Sequence, residues 1–263
     1  MGDIAQPRQG LATADNFRFL RFWWEVGKPR IAFGCKNHVE AQATQKKWFP
    51  YMKGGAYRKW YGNQEYVVNW YKDGVEIKNL VGENGRVASR PQNTDFYFRE
   101  GVTWTDLSSA GFGARYLPQG FIFDVKGSSG FPPEDLIPEV LAVLNSKWSQ
   151  YALAIFNPTV SFQVGDIARV PVLEKNRLSS QILSGLAHRA IIIRQQESTE
   201  NETAFDFIAP PPWVNGPELA IQRRIELAEL EQRVDEEIYR SYGLSGDDQQ
   251  TIEEELLKGN IIV

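Results

Sequence analysis

The spacing of apolar positions changes character near the middle of the chain and predicts two structural regimes. In the first, Tyr66 to Tyr71 is β-branched and aromatic, Lys72-Asp73-Gly74 carries an Asp-Gly turn signal, and Val75 to Leu80 alternates again. That pattern predicts a hairpin with Asp73 and Gly74 at positive φ. Phe96 to Trp104, Phe112 to Leu117 and Gly120 to Val125 read as further short strands, with Phe121, Phe123 and Val125 on one face. Leu11 to Trp24 is ambiguous: Phe17, Leu20 and Trp24 have helical spacing, yet Phe22 and Trp23 make the segment apolar nearly all round.

Chain breakers concentrate at Lys126 to Pro133, and the period then becomes helical. Leu136, Ile137, Val140, Leu141, Leu144, Trp148, Tyr151 and Ile155 recur at three- and four-residue intervals up to the stop at Asn157-Pro158, with Pro138 tolerated in the first turn. A short strand at Val160 to Val164 and a turn at Gly165-Asp166 are expected next. A helix from about Glu174 to Gln196 and a polar loop at Glu197 to Thr203 follow. Pro210-Pro211-Pro212 reads as a stiff polyproline spacer. Pro217 to Tyr242 predicts a long helix with one apolar stripe, Asn215 as its cap and Gly243 just past its end. Asp247 to Leu257 reads as an acidic tail, mobile or weakly helical.

These elements give an α+β class, a β-rich antiparallel domain followed by helices with a long C-terminal helix. Three regions are expected: a β-rich basic region over 1–130, helical support with short strands over 131–208, and a Pro-rich spacer, long helix and acidic tail over 209–263.

Composition narrows the class. With 42% apolar and 24% charged residues, the 263-residue chain has the make-up of a globular domain with a real core. A single Cys forms no internal disulfide, and Cys35 with His38 offers two ligands where structural zinc takes four. No apolar run reaches the ~20 residues of a membrane span, and the N-terminus lacks a signal-peptide layout, so a cytoplasmic protein with no membrane partner is expected. Charge is split: residues 1–130 hold 18 Lys+Arg against 12 Asp+Glu, residues 131–263 hold 11 against 21. The halves face different partners, or one another.

Familiar catalytic arrangements are missing. Gly127-Ser128-Ser129-Gly130 is one residue short of a nucleophile elbow, and no phosphate loop or G-x-G-x-x-G occurs. His188 lies in an expected helix, and the acid pairs Glu236-Glu237 and Asp247-Asp248 sit on solvated surfaces with nothing to raise a pKa. Asn157-Pro158-Thr159 lacks the second Pro and the aromatic of the loop with which adenine amino-methyltransferases hold their target base. No catalytic, cofactor or metal residue is assigned.

The basic half offers binding chemistry instead. Lys28 to Tyr61 contains eight Lys or Arg against the single acid Glu40, interleaved with Trp48, Phe49, Tyr51, Tyr57, Trp60 and Tyr61. Cations neutralise phosphates and planar rings stack on bases, so Lys46, Lys47, Lys53, Arg58 and Lys59 are candidate phosphate contacts and Trp60 a candidate stacking ring. The competing reading places the rings in a β core and leaves the cations as solubilising charge. Arg90, Gln92, Asn93 and Arg99 carry the side chains that read base edges, although Arg99 and Glu100 equally suit an ion pair at a sheet edge.

An ordered series of motifs then resembles a known family. It comprises Lys47-Trp-Phe-Pro-Tyr-Met-Lys-Gly-Gly55, Arg58-Lys-Trp-Tyr-Gly-Asn-Gln-Glu-Tyr-Val-Val-Asn-Trp70, Arg90-Pro-Gln-Asn93 with Tyr97-Phe-Arg-Glu-Gly101, Arg115-Tyr-Leu-Pro-Gln-Gly-Phe-Ile-Phe-Asp124, Leu144-Asn-Ser-Lys147 and Asn157-Pro-Thr-Val-Ser-Phe-Gln-Val-Gly-Asp-Ile-Ala168. Glu202-Thr-Ala-Phe-Asp-Phe207 and Ile238-Tyr-Arg-Ser-Tyr-Gly-Leu244 add later landmarks. Together they resemble the C-terminal target-recognition region, with a TaqI-like specificity domain, of PglX-type BREX and type IIG N6-adenine DNA methyltransferases, over roughly residues 10–245.

The resemblance implies a sequence-specific module for double-stranded DNA. It implies an N-terminal methyltransferase domain or separate catalytic chain as partner, and S-adenosylmethionine for that missing domain rather than for this one. The alternative is a non-catalytic assembly or regulatory subunit of a defence complex that does not touch DNA.

Overall fold

The computed structural model describes residues 1–174, 178 and 180–258. Its fold is α+β, with short and mostly antiparallel strands in the first half and helices in the second. A four-stranded sheet orders β2 (Leu20–Phe22), β4 (Tyr66–Asn69), β3 (Trp48–Met52) and β8 (Ile122–Phe123), antiparallel except for the β3–β8 pair. A three-stranded antiparallel sheet orders β7 (Ala114–Leu117), β6 (Gly101–Trp104) and β9 (Ser129–Gly130). A two-stranded ribbon joins β1 (Leu11–Ala12) to β5 (Arg90–Pro91).

Two cores follow from this layout. Phe19, Phe49, Tyr51, Trp70, Tyr97, Phe98 and Phe123 fill one beside the four-stranded sheet, largely with edge-to-face ring pairs such as Trp70 with Tyr97. The other lies between the three-stranded sheet and the helices, where Trp104, Val140, Leu144, Leu186, Ile193, Val234 and Ile238 meet.

The expected helix after Pro133 is present as two. α6 (Ile137–Asn145), with Pro138 in its first turn, is buried along its whole length, which suits a helix apolar on every side. Ser146 then turns extended, its hydroxyl bonding the Val143 carbonyl of the helix it ends and accepting the Ser149 N–H of the helix it begins, α7 (Lys147–Phe156). α9 (Gln181–Thr199) packs antiparallel beside α10 (Gly216–Tyr242), which ends as expected on a left-handed Gly243. The expected start of α9 at Glu174 runs into 175–177, outside the described residues.

Three expectations are corrected, and the acidic tail takes the helical one of its two expected forms. The stretch after β4 is no hairpin: Lys72, Asp73 and Gly74 are all left-handed, and Val75 to Lys78 closes a helical turn, making α5 (Tyr71–Lys78). Both edges of β4 are already taken by β2 and β3, so a returning strand has no partner. Val160 to Val164 forms no strand, since only Ser161 bridges to Leu107, and Gly165-Asp166 lies inside α8 (Val164–Arg169). Helix α9 consumes the first residues of the loop expected from Glu197. The acidic tail forms α11 (Gly246–Leu257), capped by Ser245 and tied to α7 by the Lys147–Glu253 ion pair at 2.6 Å.

One buried carboxylate joins these helices. Asp235 of α10 accepts the Lys147 main-chain N–H at 2.8 Å, and burial pushes its pKa up to about 6 despite that bond and the nearby lysines. A raised carboxyl pKa means that the folded chain keeps a proton the unfolded chain has lost. Stability therefore falls as pH rises from about 4 to about 6 and is level beyond. Asp235→Asn keeps an acceptor without the charge. It is expected to gain about 1–3 kcal/mol over the parent at pH 7.5 and nothing near pH 4, read from urea denaturation at the two pH values.

Candidate functional site

The ribbon brings together residues eighty positions apart. β1 pairs Leu11 with Pro91 and Ala12 with Arg90, which lays the N-terminal segment alongside the 90–99 loop. Gln92 Nε2 donates to the Gly10 carbonyl at 3.3 Å, and Asn93 Nδ2 to the Gln9 carbonyl at 2.9 Å. The arm is anchored from below, where the buried Tyr51 hydroxyl lies 3.0 Å from the Leu11 carbonyl and 2.6 Å from Asp124 Oδ2. Burial raises the Asp124 carboxyl, and the hydroxyl bond opposes that rise.

Two guanidinium groups converge on one ring. Arg8 lies 5.3 Å and Arg99 5.1 Å from the Phe96 centroid, and Phe96 itself packs on Phe131. Asn93, bonded to Gln9 next to Arg8, is exposed, as is Arg90 on β5. Among the described residues no carboxylate lies within 4.0 Å of Arg8, Arg90 or Arg99. The alternative Arg99–Glu100 ion pair is therefore not formed; Glu100 bonds the Tyr116 hydroxyl instead. Like charges gathered without counterions on a surface attract an anionic partner. The amide nitrogens of Gln92 and Asn93 are spent on the N-terminal arm, so a two-point grip on adenine requires those bonds to exchange.

The loop has a rigid support. His38 bridges it to the left-handed turn, with Nδ1 2.6 Å from Asp73 Oδ1 and Nε2 2.9 Å from the Thr94 carbonyl. Asp73 also accepts from Lys78 at 2.6 Å and from the Trp70 indole at 3.2 Å. Burial alone would raise the Asp73 carboxyl, but the Lys78 and His38 bonds outweigh it and hold it below the ordinary value. Three successive left-handed residues are costly for all but glycine, and this hub supplies the bonds that hold them.

The five candidate phosphate contacts do not form one array. Lys46 donates to the Ile31 carbonyl at 2.8 Å. Lys47 sits over Trp48, on which Arg21 also converges, and is 4.0 Å from Glu76. Lys53 covers Tyr66, part of an aromatic group in which Phe22 stacks on Trp24 at 4.5 Å. Lys59 is 3.5 Å from Glu231 on α10, whereas Arg58 beside it is exposed with no carboxylate within 4.0 Å among the described residues. Trp60 corrects the stacking expectation: it is 0% exposed, and its indole N–H donates to Glu231 at 2.7 Å, so no face is open to a base. Trp70 and Trp104 are sealed as well, while Trp24 and Trp48 keep exposed surface. Arg8, Gln9 and Phe96 were not singled out by sequence. Their one signal was Arg8-Gln9 standing one glycine before the apolar pair that becomes β1.

Comparison with known proteins gives this geometry a context. No protein-family model matches the chain. It is 41% identical over 177 residues to the adenine-specific methyltransferase PglX of Lacticaseibacillus casei (strain Zhang), covering 66% of this chain. It is 38% identical over 193 residues to the adenine-specific methyltransferase BrxX of Escherichia coli O9:H4 (strain HS), covering 72% of this chain. This chain is similar to part of adenine-specific methyltransferases. The shared stretch makes up 14% of the length of each of these two methyltransferases. In fold, the chain matches the type IIL restriction-modification enzyme MmeI, solved in complex with DNA. That match has a TM-score of 0.52 and 12% identity, and covers 95% of this chain and 36% of MmeI. No helix among the described residues is long and apolar enough to cross a membrane, and none of their His, Cys, Asp and Glu side chains gather in threes to hold a metal.

Proposed function

We propose that this chain is the DNA-recognition segment of an adenine-specific DNA methyltransferase of the BREX or restriction-modification kind. One observation carries the reading: Arg8 and Arg99, without counterions, converge on Phe96, next to the ribbon that holds Gln92 and Asn93 and carries the exposed Arg90. Arg suits guanine and phosphate, the two amides suit adenine, and the exposed Arg58 and Lys47 supply further phosphate contacts. The likeness to PglX and BrxX supports the methyltransferase context, and the fold likeness to MmeI, solved in complex with DNA, is consistent with a DNA-facing role.

Methyl transfer is assigned to a partner domain or chain that binds S-adenosylmethionine. The cavity between the Tyr57–Lys59 stretch and α10 is about 410 Å³ and is lined by Arg58, Lys59, Arg194, Glu197 and Glu231. Nothing in this lining, which also includes Tyr57 and Tyr61, assigns the cavity to that cofactor, so no chemical step is routed through these residues.

Selection from a pool of randomised duplexes tests the readout. Enrichment of a short defined motif is expected, with Arg99→Ala relaxing preference at one position at a cost of ~1–3 kcal/mol there. Retention of every sequence alike by the parent chain would reduce its role to phosphate binding. Capture of a catalytic subunit with no duplex retained at all would favour the assembly-subunit alternative.

A further inference from the structure

Arg115 of β7 is an electrostatic anomaly. Its side chain is 0% exposed, and its one hydrogen bond is Nη1 to Thr105 Oγ1 at 3.2 Å, so Nε and Nη2 have no partner. A fully buried cation is ordinarily paired. Here the charge acting on it is the like charge of Arg58; burial first, then Arg58, pulls the Arg115 pKa down to about 9.

Arg58, whose charge reaches this guanidinium, lies in the Gly54–Lys59 segment, which few bonds hold. At one end of it Gly54 lies against the Lys126 carbonyl and the methyl group of Thr105, the residue that holds Nη1. At the other end, Trp60 bridges to Arg115, and the Arg58 carbonyl lies against Gly113. Between these anchors no main-chain N–H from Gly54 to Lys59 donates to a main-chain carbonyl, and Gly55 through Arg58 are exposed. Gly55 turns the segment at positive φ without cost, and the strained non-glycine positions Trp60 and Asn63 lie just beyond its end. Two guanidiniums and a run of unspent N–H groups, with no counterion, are the chemistry of a phosphate site.

We propose that Arg115 and Arg58 together bind one phosphate group of the DNA backbone, admitted when the Gly54–Lys59 segment swings away from Thr105. The owner of that phosphate rests on the DNA-recognition reading, whereas the anion site itself rests on Arg115. Burying a phosphate there pairs the guanidinium and offsets the lifting of the segment, so that closure registers a bound backbone.

The test uses the intact chain labelled with 15N. In the free protein the Arg115 Nε–H gives a protected arginine side-chain resonance, and it is expected to shift saturably on titration with a short duplex or with inorganic phosphate. Arg115→Met is expected to lose about tenfold to a hundredfold in duplex affinity and to lower the salt slope by about one, with partial recovery in Arg115→Lys. An Arg115 resonance unmoved by a saturating duplex overturns the site even if the Met variant fails to fold, and it leaves DNA recognition standing. A parent chain that retains no duplex, while inorganic phosphate still moves that resonance, upholds the anion site and overturns the DNA reading instead.

Discussion

Replacing Arg8, Arg90 and Arg99 together by alanine is expected to lower duplex-DNA affinity at least about a hundredfold, roughly 3 kcal/mol, without unfolding the chain. The three guanidiniums are held by surroundings that outlast them. The ribbon is a main-chain pairing, the loop hangs from His38 and Asp73, and Phe96 keeps its contact with Phe131. Lost contacts should therefore appear in binding and not in melting. Each phosphate contact removed should also flatten the salt dependence by about 0.9 in log–log slope. Arg169→Ala is a single-charge control, because that guanidinium covers Phe156, 4.7 Å from its ring, and takes no part in the Phe96 contacts. Equal losses per charge removed in the control and the triple variant would mean that bulk charge, not the assembled surface, binds DNA.

The second large effect concerns Trp60. Trp60→Ala is expected to cost about 3–5 kcal/mol of folding stability, because a fully buried indole leaves a cavity and Glu231 loses the indole hydrogen bond. The residue also stands at φ +71, held by Trp60 N–H to the Ala114 carbonyl and Tyr116 N–H to the Trp60 carbonyl, both at 2.8 Å. Those bonds lock the end of the Gly54–Lys59 segment against β7. Trp60→Phe keeps most of the ring and loses only the indole bond, about 1 kcal/mol, with DNA affinity unchanged. Urea denaturation paired with duplex titration separates the roles. A Phe variant of full stability and reduced affinity would return Trp60 to the DNA surface.

The parts of the fold legible in sequence are those whose pattern depends on one element alone. The apolar stripe from Ile221 to Ile238, ending on Gly243, needs only helical periodicity, as does the run through Val140 and Leu144. Strand pairing depends on partners. Val75 to Leu80 alternates as a strand does, but alternation does not count the edges left on β4, and none is left. Aromatic residues among cations are ambiguous in the same way. Trp48 and Trp60 have similar neighbours in sequence; Trp48 keeps a face for Arg21 and Lys47, while Trp60 is enclosed under α10. In the candidate site, Arg90, Gln92, Asn93 and Arg99 announce themselves by chemistry. Arg8 and Gln9 join them only through the β1–β5 ribbon, a contact between distant segments that local spacing does not encode. Arg115 reads as one more strand cation, and only its burial without a partner sets it apart.

Central to this reading is an assembled cationic surface that holds duplex DNA. Its most direct test is fluorescence anisotropy of the purified chain on a labelled duplex over a series of salt concentrations. A linear fall of log affinity against log salt, with a slope of about −3 or steeper for three or more phosphate contacts, is the expected result. Affinity that does not change with salt, or no retention of the duplex even at the lowest salt, would contradict it.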